Sequence, residues 1–262
     1  MTQALLCKTD DRGVTTLILH RPERSNALDG HLMAELTTQL KVLAEDPAIR
    51  VLVLSGSGRA FCSGADLDWI QAVVEQGEAA NQADARQLAA LMQRLNEFPK
   101  PAIARVNGAA FGGGVGLIAC CDIAIASEAA TFAFSEVRLG LVAAVIAPYV
   151  LAAMGARNAR RYLLSGERFS ANQALAMGLV HQVADDTALD GTVERQLQAL
   201  LQGMPIAQTE SKRLLHDLVS TDAAILQQTA GLTARIRASA EGGAGVRAFL
   251  ERRKRRGTGT GD

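Results

Sequence analysis

The sequence lacks the features that mark several common classes of protein. Its 262 residues carry 27 basic and 27 acidic side chains, so no net charge favours a nucleic acid or a membrane surface as partner. The four cysteines form no C-x-x-C pair, which argues against a zinc site or a disulfide framework. No apolar run reaches the length of a membrane span, and the N-terminal residues lack a signal-peptide pattern. We therefore expect a cytoplasmic protein with reduced, buried thiols, no metal, and neither a nucleic-acid nor a membrane partner.

Several catalytic motifs are missing as well. There is no G-x-S-x-G nucleophile elbow and no G-x-x-x-x-G-K-[ST] phosphate loop. Gly114-x-Gly116-x-x-Ala119 matches a dinucleotide fingerprint, but a fingerprint glycine should follow its strand directly. Here a whole glycine-rich loop intervenes, which makes dinucleotide binding a minor alternative.

Short apolar runs alternate with helical patterns, which is typical of α/β architecture. The runs that predict strands are Thr15–Leu19, Val51–Leu54, Ala102–Val106 and Ile123–Ala126. After about residue 195 the strand patterns end and only helices are predicted, so we divide the chain into a core of residues 1–195 and a helical region of residues 196–262. The polar stretch 71–86 predicts a mobile connection, and the final Gly-Thr-Gly-Thr-Gly-Asp predicts a disordered tail.

Two glycine-containing turns each follow a predicted strand. Phe61–Leu67 comes after the second strand, and Asn107–Gly114 comes after the third and precedes an apolar helix. Such turns can leave backbone N–H groups free beyond a strand end, where their partial positive charge suits an anion or a developing oxyanion. The alternative is that the glycines only relieve steric strain.

A single acidic residue, Glu136, lies in the largely apolar stretch Phe134–Leu141. Burial raises the pKa of a carboxyl group and would suit Glu136 to move protons near neutral pH. The alternative is a surface ion pair between Glu136 and Arg138.

These segments, in this order, resemble the crotonase (enoyl-CoA hydratase/isomerase) superfamily over nearly the whole chain. Besides both turns, the matching segments are His20–Leu28, Cys121-Asp122, Ser135-Glu136, Ala174–Val180 and Ala248–Arg252. The resemblance implies an α/β fold, a crotonase-like spiral of β-β-α turns whose helical C-terminal region forms a homotrimer or a dimer of trimers. It also implies an acyl-CoA thioester substrate and no cofactor beyond the coenzyme A of that substrate.

The resemblance assigns roles to individual residues. The N–H groups of Ala65 and Gly113 match the pair that holds the thioester oxygen, and Glu136 matches a catalytic carboxylate. The positions that match substrate and coenzyme A binding are Ala27, Leu28, Ser63, Gly64, Ala65, Asp66, Leu67, Gly112, Gly113, Gly116 and Arg252. For Arg252 the alternative is that the basic run 252–256 is a solvated helix end. Candidate walls of the acyl pocket are Trp69, Val142, Ile146 and Tyr149.

One departure from the family pattern concerns the number of carboxylates. Hydratases of the family typically use two glutamates, but the position of the first is Gly116 here. A single carboxylate is the pattern of the enoyl-CoA isomerases, which move a proton between C2 and C4. Three segments nevertheless most resemble bacterial 3-methylglutaconyl-CoA hydratases of leucine breakdown: Gly112–Asp122, Ser135–Gly140 and Ala234–Glu241.

We therefore predict hydration of a branched glutaconyl-CoA, with an isomerase or a non-catalytic acyl-CoA-binding protein as alternatives. The extra room expected at Gly116 would let the distal carboxylate of the substrate supply the missing polar contact.

Overall fold

Two β-sheets organise the chain in the computed structural model, which describes residues 3–219 and 223–257. The larger sheet contains, in spatial order, β1 (Leu5–Thr9), β2 (Val14–Leu19), β3 (Val51–Gly56), β5 (Ala102–Val106), β7 (Ile123–Ser127) and β10 (Gln182–Ala184). The smaller sheet contains β4 (Ala60–Cys62), β6 (Ala109–Phe111), β8 (Thr131–Ala133) and β9 (Phe169–Ser170). The pairs β1–β2 and β8–β9 are antiparallel, and all other neighbouring strands are parallel.

Three successive strand pairs, β3–β4, β5–β6 and β7–β8, wind the chain into a spiral. Each pair gives its first strand to the larger sheet and its second to the smaller sheet before the chain turns into helix. The spiral of β-β-α turns expected from the sequence is therefore confirmed. Because β4 and β6 are parallel neighbours, the turns that follow them lie side by side at one edge of the smaller sheet.

Helices cover the sheets and make up the C-terminal part of the described chain. Their bounds are α1 (Gly30–Glu45), α2 (Leu67–Glu75), α3 (Glu78–Asn96), α4 (Gly113–Ala119), α5 (Ala147–Ser165), α6 (Ala171–Ala176), α7 (Leu189–Leu201), α8 (Pro205–Val219), α9 (Ala223–Arg237) and α10 (Ala240–Gly257). Helix α7 crosses the predicted boundary at residue 195, and the division into two regions stays a prediction. None of these helices, within the residues described, is long and apolar enough to cross a membrane. The predicted disordered tail lies almost wholly outside the described residues.

Local sequence signals explain why several elements begin where they do. The Asp29 side chain accepts a hydrogen bond from Leu32 N and caps α1, whose buried leucines then recur at helical spacing. Strand β3 is buried along its whole length, as expected of a continuous apolar run inside a parallel sheet. Ser170 and Gln173 form a capping box at the start of α6, as the S-x-x-Q spacing favours.

Two expectations from the sequence are wrong. Apart from the two-residue junction 76–77, residues 71–86 belong to α2 and α3 rather than to a loop. Polar side chains satisfy backbone groups at the junction: Asn81 Nδ2 donates to Val73 O and Gly77 O. Cys7 is exposed, whereas the other three cysteines are buried as expected. It lies in the edge strand β1, whose only strand partner among the described residues is β2.

Close approaches between backbones fix how the strand pairs pack. A Cβ atom on Gly114, at the start of α4, would lie 2.3 Å from Cys62 O at the end of β4. A Cβ atom on Gly108 would lie 2.0 Å from Arg59 O. Because backbone moves aside far less readily than a flexible side chain, these positions strongly favour glycine.

We expect Gly114→Ala to lower the free energy of unfolding by about 2–3 kcal/mol, since the added methyl group has to displace the backbone of β4. Gly231→Ala in α9 is the matched control, because its Cβ would have no neighbour within 4 Å. That control should instead stabilise the helix by about 0.5–1 kcal/mol. Chemical denaturation of both variants measures the difference, and equal stabilities would contradict the packing argument.

Candidate active site

A cleft and a smaller cavity meet at the edge where the strand-end turns lie. The cleft has a volume of about 990 Å³, and the cavity a volume of about 60 Å³. Ala65, Glu136 and Leu141 line both, so they lie at the junction between them. The large open cleft therefore leads to a small apolar chamber past one carboxylate.

The two glycine turns predicted from the sequence come into contact at this junction. A Cβ atom on Gly64 would lie 2.7 Å from Phe111 O and 3.5 Å from Gly113 N. The backbone bonds of these turns use the N–H groups of Ser63 and Asp66 but leave those of Ala65 and Gly113 without an acceptor among residues 3–219 and 223–257. Two unpaired donors at the mouth of an apolar cavity suit a ligand oxygen that carries negative charge.

The loop Arg21–Asp29 braces the first glycine turn. The fully buried Asn26 donates through Nδ2 to Ser57 O, Ala60 O and Phe61 O at 2.9, 2.8 and 3.2 Å. Leu28 and Ala65 form a parallel β-bridge, with Leu28 N donating to Gly64 O at 2.7 Å. These bonds hold Ala65 in place without using its N–H group.

Glu136 lies in a 3-10 segment, Ser135–Leu139, after β8. Its Oε2 atom is buried and has no hydrogen-bond partner in the described part of the chain, so the predicted alternative of a Glu136–Arg138 ion pair is wrong. Its Oε1 atom faces Gly112, where an added Cβ would come within 2.5 Å. Desolvation by burial raises the pKa of Glu136 to about 7, which suits it to take up and release a proton near neutral pH.

Helix α10 supports the Glu136 segment from outside. A Cβ atom on Gly245 would lie 1.9 Å from Leu139 O, and one on Gly140, which has a positive φ of 70°, would lie 2.8 Å from Glu241 O. The backbone of α10 thus lies against the backbone of the 3-10 segment. This contact is how the C-terminal helices take part in shaping the site.

Gly116 leaves no extra room, which corrects the expectation from the sequence. A Cβ atom there would lie 2.4 Å from Ile146 Cγ2 and 3.3 Å from Met92 Cε. Ile146 lines the cavity and so separates Gly116 from it. The volume that a glutamate would need at this position is filled by an apolar side chain.

The predicted site residues are otherwise brought together. The cleft is lined by Ala27, Ser63, Gly64, Ala65, Asp66, Leu67, Gly112, Glu136 and Arg252. The cavity is lined by Leu28, Gly113 and three of the predicted wall residues, Trp69, Val142 and Ile146. The fourth, Tyr149, is a buried residue of the core cluster.

Three polar residues of the cavity were missed by the sequence analysis: Asp84, Thr233 and Arg237. Trp69 Nε1 donates to Asp84 Oδ1 at 2.7 Å, and Arg237 forms a buried ion pair with Asp84. The spacing of Thr233 and Arg237, four residues apart on one helix, was the available signal. It could not reveal that the face they share is the buried one.

The two sheets, the spiral of strand pairs and the C-terminal helices together define the class of crotonase-fold enzymes. The chain belongs to the enoyl-CoA hydratase/isomerase family, whose sequence model matches residues 9–258. It is similar to the crystal structure of an enoyl-CoA hydratase from Shewanella pealeana, with 42% identity, a TM-score of 0.80, and coverage of 95% of this chain and 94% of that one.

Among curated proteins, the chain is 34% identical to a mevalonyl-coenzyme A hydratase of Aspergillus fumigatus over 92% of this chain and 90% of the relative. It is 33% identical to a peroxisomal Δ(3,5)-Δ(2,4)-dienoyl-CoA isomerase of Arabidopsis thaliana over 82% of this chain and 81% of the relative. Relatives named as hydratases and relatives named as isomerases therefore both align over most of the chain.

Glu136→Gln should stabilise the protein in a pH-dependent way. Because burial raises the pKa of Glu136 from 4.5 to about 7, stability is full at low pH and is lost as the pH rises through about 7. The glutamine amide does not ionise, so the variant does not lose this stability. Its free energy of unfolding should exceed that of the wild type by near zero at acid pH and by about 1–3 kcal/mol above neutrality. Thermal unfolding of both proteins from pH 4.5 to 8.5 measures it, with exposed Glu128→Gln as control. A gain that does not change with pH would contradict the buried, unpaired carboxylate.

Proposed function

We propose that the chain hydrates a 2-enoyl-CoA thioester with Glu136 as its base. The observation that carries this proposal is the buried, unpartnered Oε2 atom of Glu136 at the mouth of a cavity that is also lined by Ala65 and Gly113. The N–H groups of these two residues are free to donate hydrogen bonds to the thioester oxygen.

In the proposed reaction Glu136 takes a proton from water while the water oxygen bonds to C3 of the acyl group. The C2–C3 π electrons move into an enolate, whose oxygen accepts hydrogen bonds from Ala65 N and Gly113 N. Removing one such donor typically costs about 3–4 kcal/mol of transition-state stabilisation. Glu136 then gives its proton to C2, which restores both the carboxylate and the thioester carbonyl.

We propose a short, branched glutaconyl group as the acyl part, with 3-methylglutaconyl-CoA as the first substrate to test and leucine breakdown as its pathway. The support is the resemblance of three sequence segments and the small cavity of about 60 Å³. That volume corresponds to on the order of four water molecules, which disfavours long alkyl chains. The distal carboxylate cannot bind beside Gly116, because Ile146 fills that space.

The second candidate function is a Δ3,Δ2-enoyl-CoA isomerase, which one specific observation favours. With Ile146 packed on Gly116, no second carboxylate stands at the first-glutamate position, and a single base suffices to move a proton between C2 and C4. A non-catalytic acyl-CoA-binding protein is the remaining alternative.

The coenzyme A portion is proposed to lie in the large cleft, whose rim carries four arginines: Arg24, Arg138, Arg168 and Arg252. Guanidinium groups suit phosphate recognition. We also propose a cytoplasmic homotrimer or dimer of trimers, since α8 exposes the apolar side chains of Ile206, Leu214, Leu215 and Leu218.

Conversion of 3-methylglutaconyl-CoA and 3-hexenoyl-CoA in oxygen-18 water tests the reaction. We expect labelled water in the product of the first substrate, and Glu136→Gln should lower this rate by about 10²–10⁴-fold because the base is lost. The value of kcat/KM should rise with pH through about 7, where Glu136 ionises. Mass spectrometry of the products measures all three effects.

Unlabelled conversion of 3-hexenoyl-CoA to its 2-isomer, without hydration of either substrate, would favour the isomerase. Binding without any conversion would favour the acyl-CoA-binding protein. Glu128→Gln is the control for the substitution and should leave both rates unchanged, because this exposed side chain lies outside the site.

Arg252→Ala should raise KM about 3–10-fold and leave kcat unchanged, since an exposed cation on the rim contributes to binding but not to the chemical step. Arg247→Ala on the same helix is the control, because Arg247 is exposed and does not line the cleft. Steady-state kinetics of both variants measure the effect. Equal KM values would support the alternative that Arg252 is part of a solvated helix end.

A further inference from the structure

A cluster of buried polar side chains lies in the wall of the apolar cavity. It consists of Asp84 from α3 with Thr233 and Arg237 from α9, which are 5%, 8% and 6% exposed. Burying charged groups is costly unless they are paired. The pair Asp84–Arg237 meets this requirement, yet an apolar pair would join the two helices at lower cost. A charged pair facing the acyl chamber therefore calls for a functional explanation.

Hydrogen-bond accounting shows an excess of donors in this cluster. Both Asp84 oxygens are engaged, Oδ1 by Trp69 Nε1 at 2.7 Å and Oδ2 by Arg237 Nη1. A guanidinium carries five N–H donors, but Asp84 is the only side-chain partner of Arg237 within the described ranges. The buried Oγ1 of Thr233, one turn away on α9, also has no partner there.

We propose that Arg237 and Thr233 bind a carboxylate at the distal end of the acyl chain. The substrate class is thus a 2-enoyl-CoA thioester whose acyl group ends in a carboxylate. This inference rests on the proposed function, because it takes the acyl chain to enter the cavity beside Glu136. Asp84 and Trp69 act as positioning residues that hold the guanidinium toward the cavity.

The charges of the cluster explain both its stability and its selectivity. Asp84 neutralises Arg237 when the cavity holds no acyl chain, while the planar guanidinium can offer its remaining N–H groups to a second carboxylate. A chain that ends in a methyl group would cover these donors without satisfying them. A site built around polar groups strongly rejects an analogue that leaves them unpaired.

Binding of unreactive saturated thioesters tests the proposal without catalysis. Isothermal titration calorimetry would compare glutaryl-CoA with two analogues of similar shape: its terminal amide, and 5-methylhexanoyl-CoA, in which a branched alkyl end replaces the carboxylate. We expect glutaryl-CoA to bind at least about tenfold more tightly than the alkyl analogue, as is typical for a hydrogen bond to a charged group. The amide should have an intermediate affinity.

Three variants test whether the preference for glutaryl-CoA over the alkyl analogue depends on Thr233, Arg237 and Asp84. Thr233→Val removes only an unpartnered hydroxyl and should reduce the preference about threefold without loss of folding. Arg237→Met combined with Asp84→Asn removes both charges, so no unpaired charge stays buried, and should abolish the preference. Arg235→Met, at an exposed position of the same helix, is the control and should retain the wild-type preference.

Equal affinities of the wild-type protein for all three thioesters would overturn the proposal. An amide that binds as tightly as the carboxylate would overturn the assignment of an anionic end, and an unchanged preference in the double variant would overturn the role of Arg237. Failure of the proposed function is recognised separately: it would abolish hydration of every enoyl-CoA while the preference for glutaryl-CoA persisted. Hydration of an enoyl-CoA by a protein that shows no preference for glutaryl-CoA would instead overturn this proposal and leave the proposed function in place.

Discussion

The contact between two backbone turns at the edge of the smaller sheet is the constraint on which the site depends. Gly64 lies against Phe111 and Gly113, and Gly114 lies against Cys62. At these distances a side chain on either turn would force the strands apart. The contact brings the unpaired N–H groups of Ala65 and Gly113 to the same cavity, which Glu136 also lines.

Glu136 supplies the second group of the site that is left without a hydrogen-bond partner, beside the free N–H donors. Its Oε2 atom is buried and has no partner in the described chain, and burial raises the pKa of this carboxyl group to about 7. Such a group is costly to hold in place, and the contact of Gly245 with Leu139 O shows that α10 contributes to holding it. The C-terminal helices thus do more than extend the fold, because one of them packs against the segment that carries Glu136.

The cleft and the cavity differ in size and polarity, and in the proposed function each would recognise a different part of the thioester. The cleft of about 990 Å³ is open and has arginines at its rim, whereas the cavity of about 60 Å³ is mostly apolar. Ile146 closes the space beside Gly116, so the polar groups available to an acyl chain are those of α3 and α9. In the proposed function, selection of the acyl end is therefore separated in space from proton transfer at Glu136.

The features that the sequence determined by itself are those that depend on local interactions. The Asp29 cap of α1, the buried β3 strand and the capping box at Ser170 depend on neighbours within a few residues, so spacing alone predicts them. The motifs likewise predicted both glycine turns and Glu136. Only the tertiary structure decided that Ile146 fills the space at Gly116 and that Asp84 meets Arg237 across 153 residues of chain. These pairings are set by how α3, α9 and the sheets pack, and no periodicity within one segment can specify a partner in another.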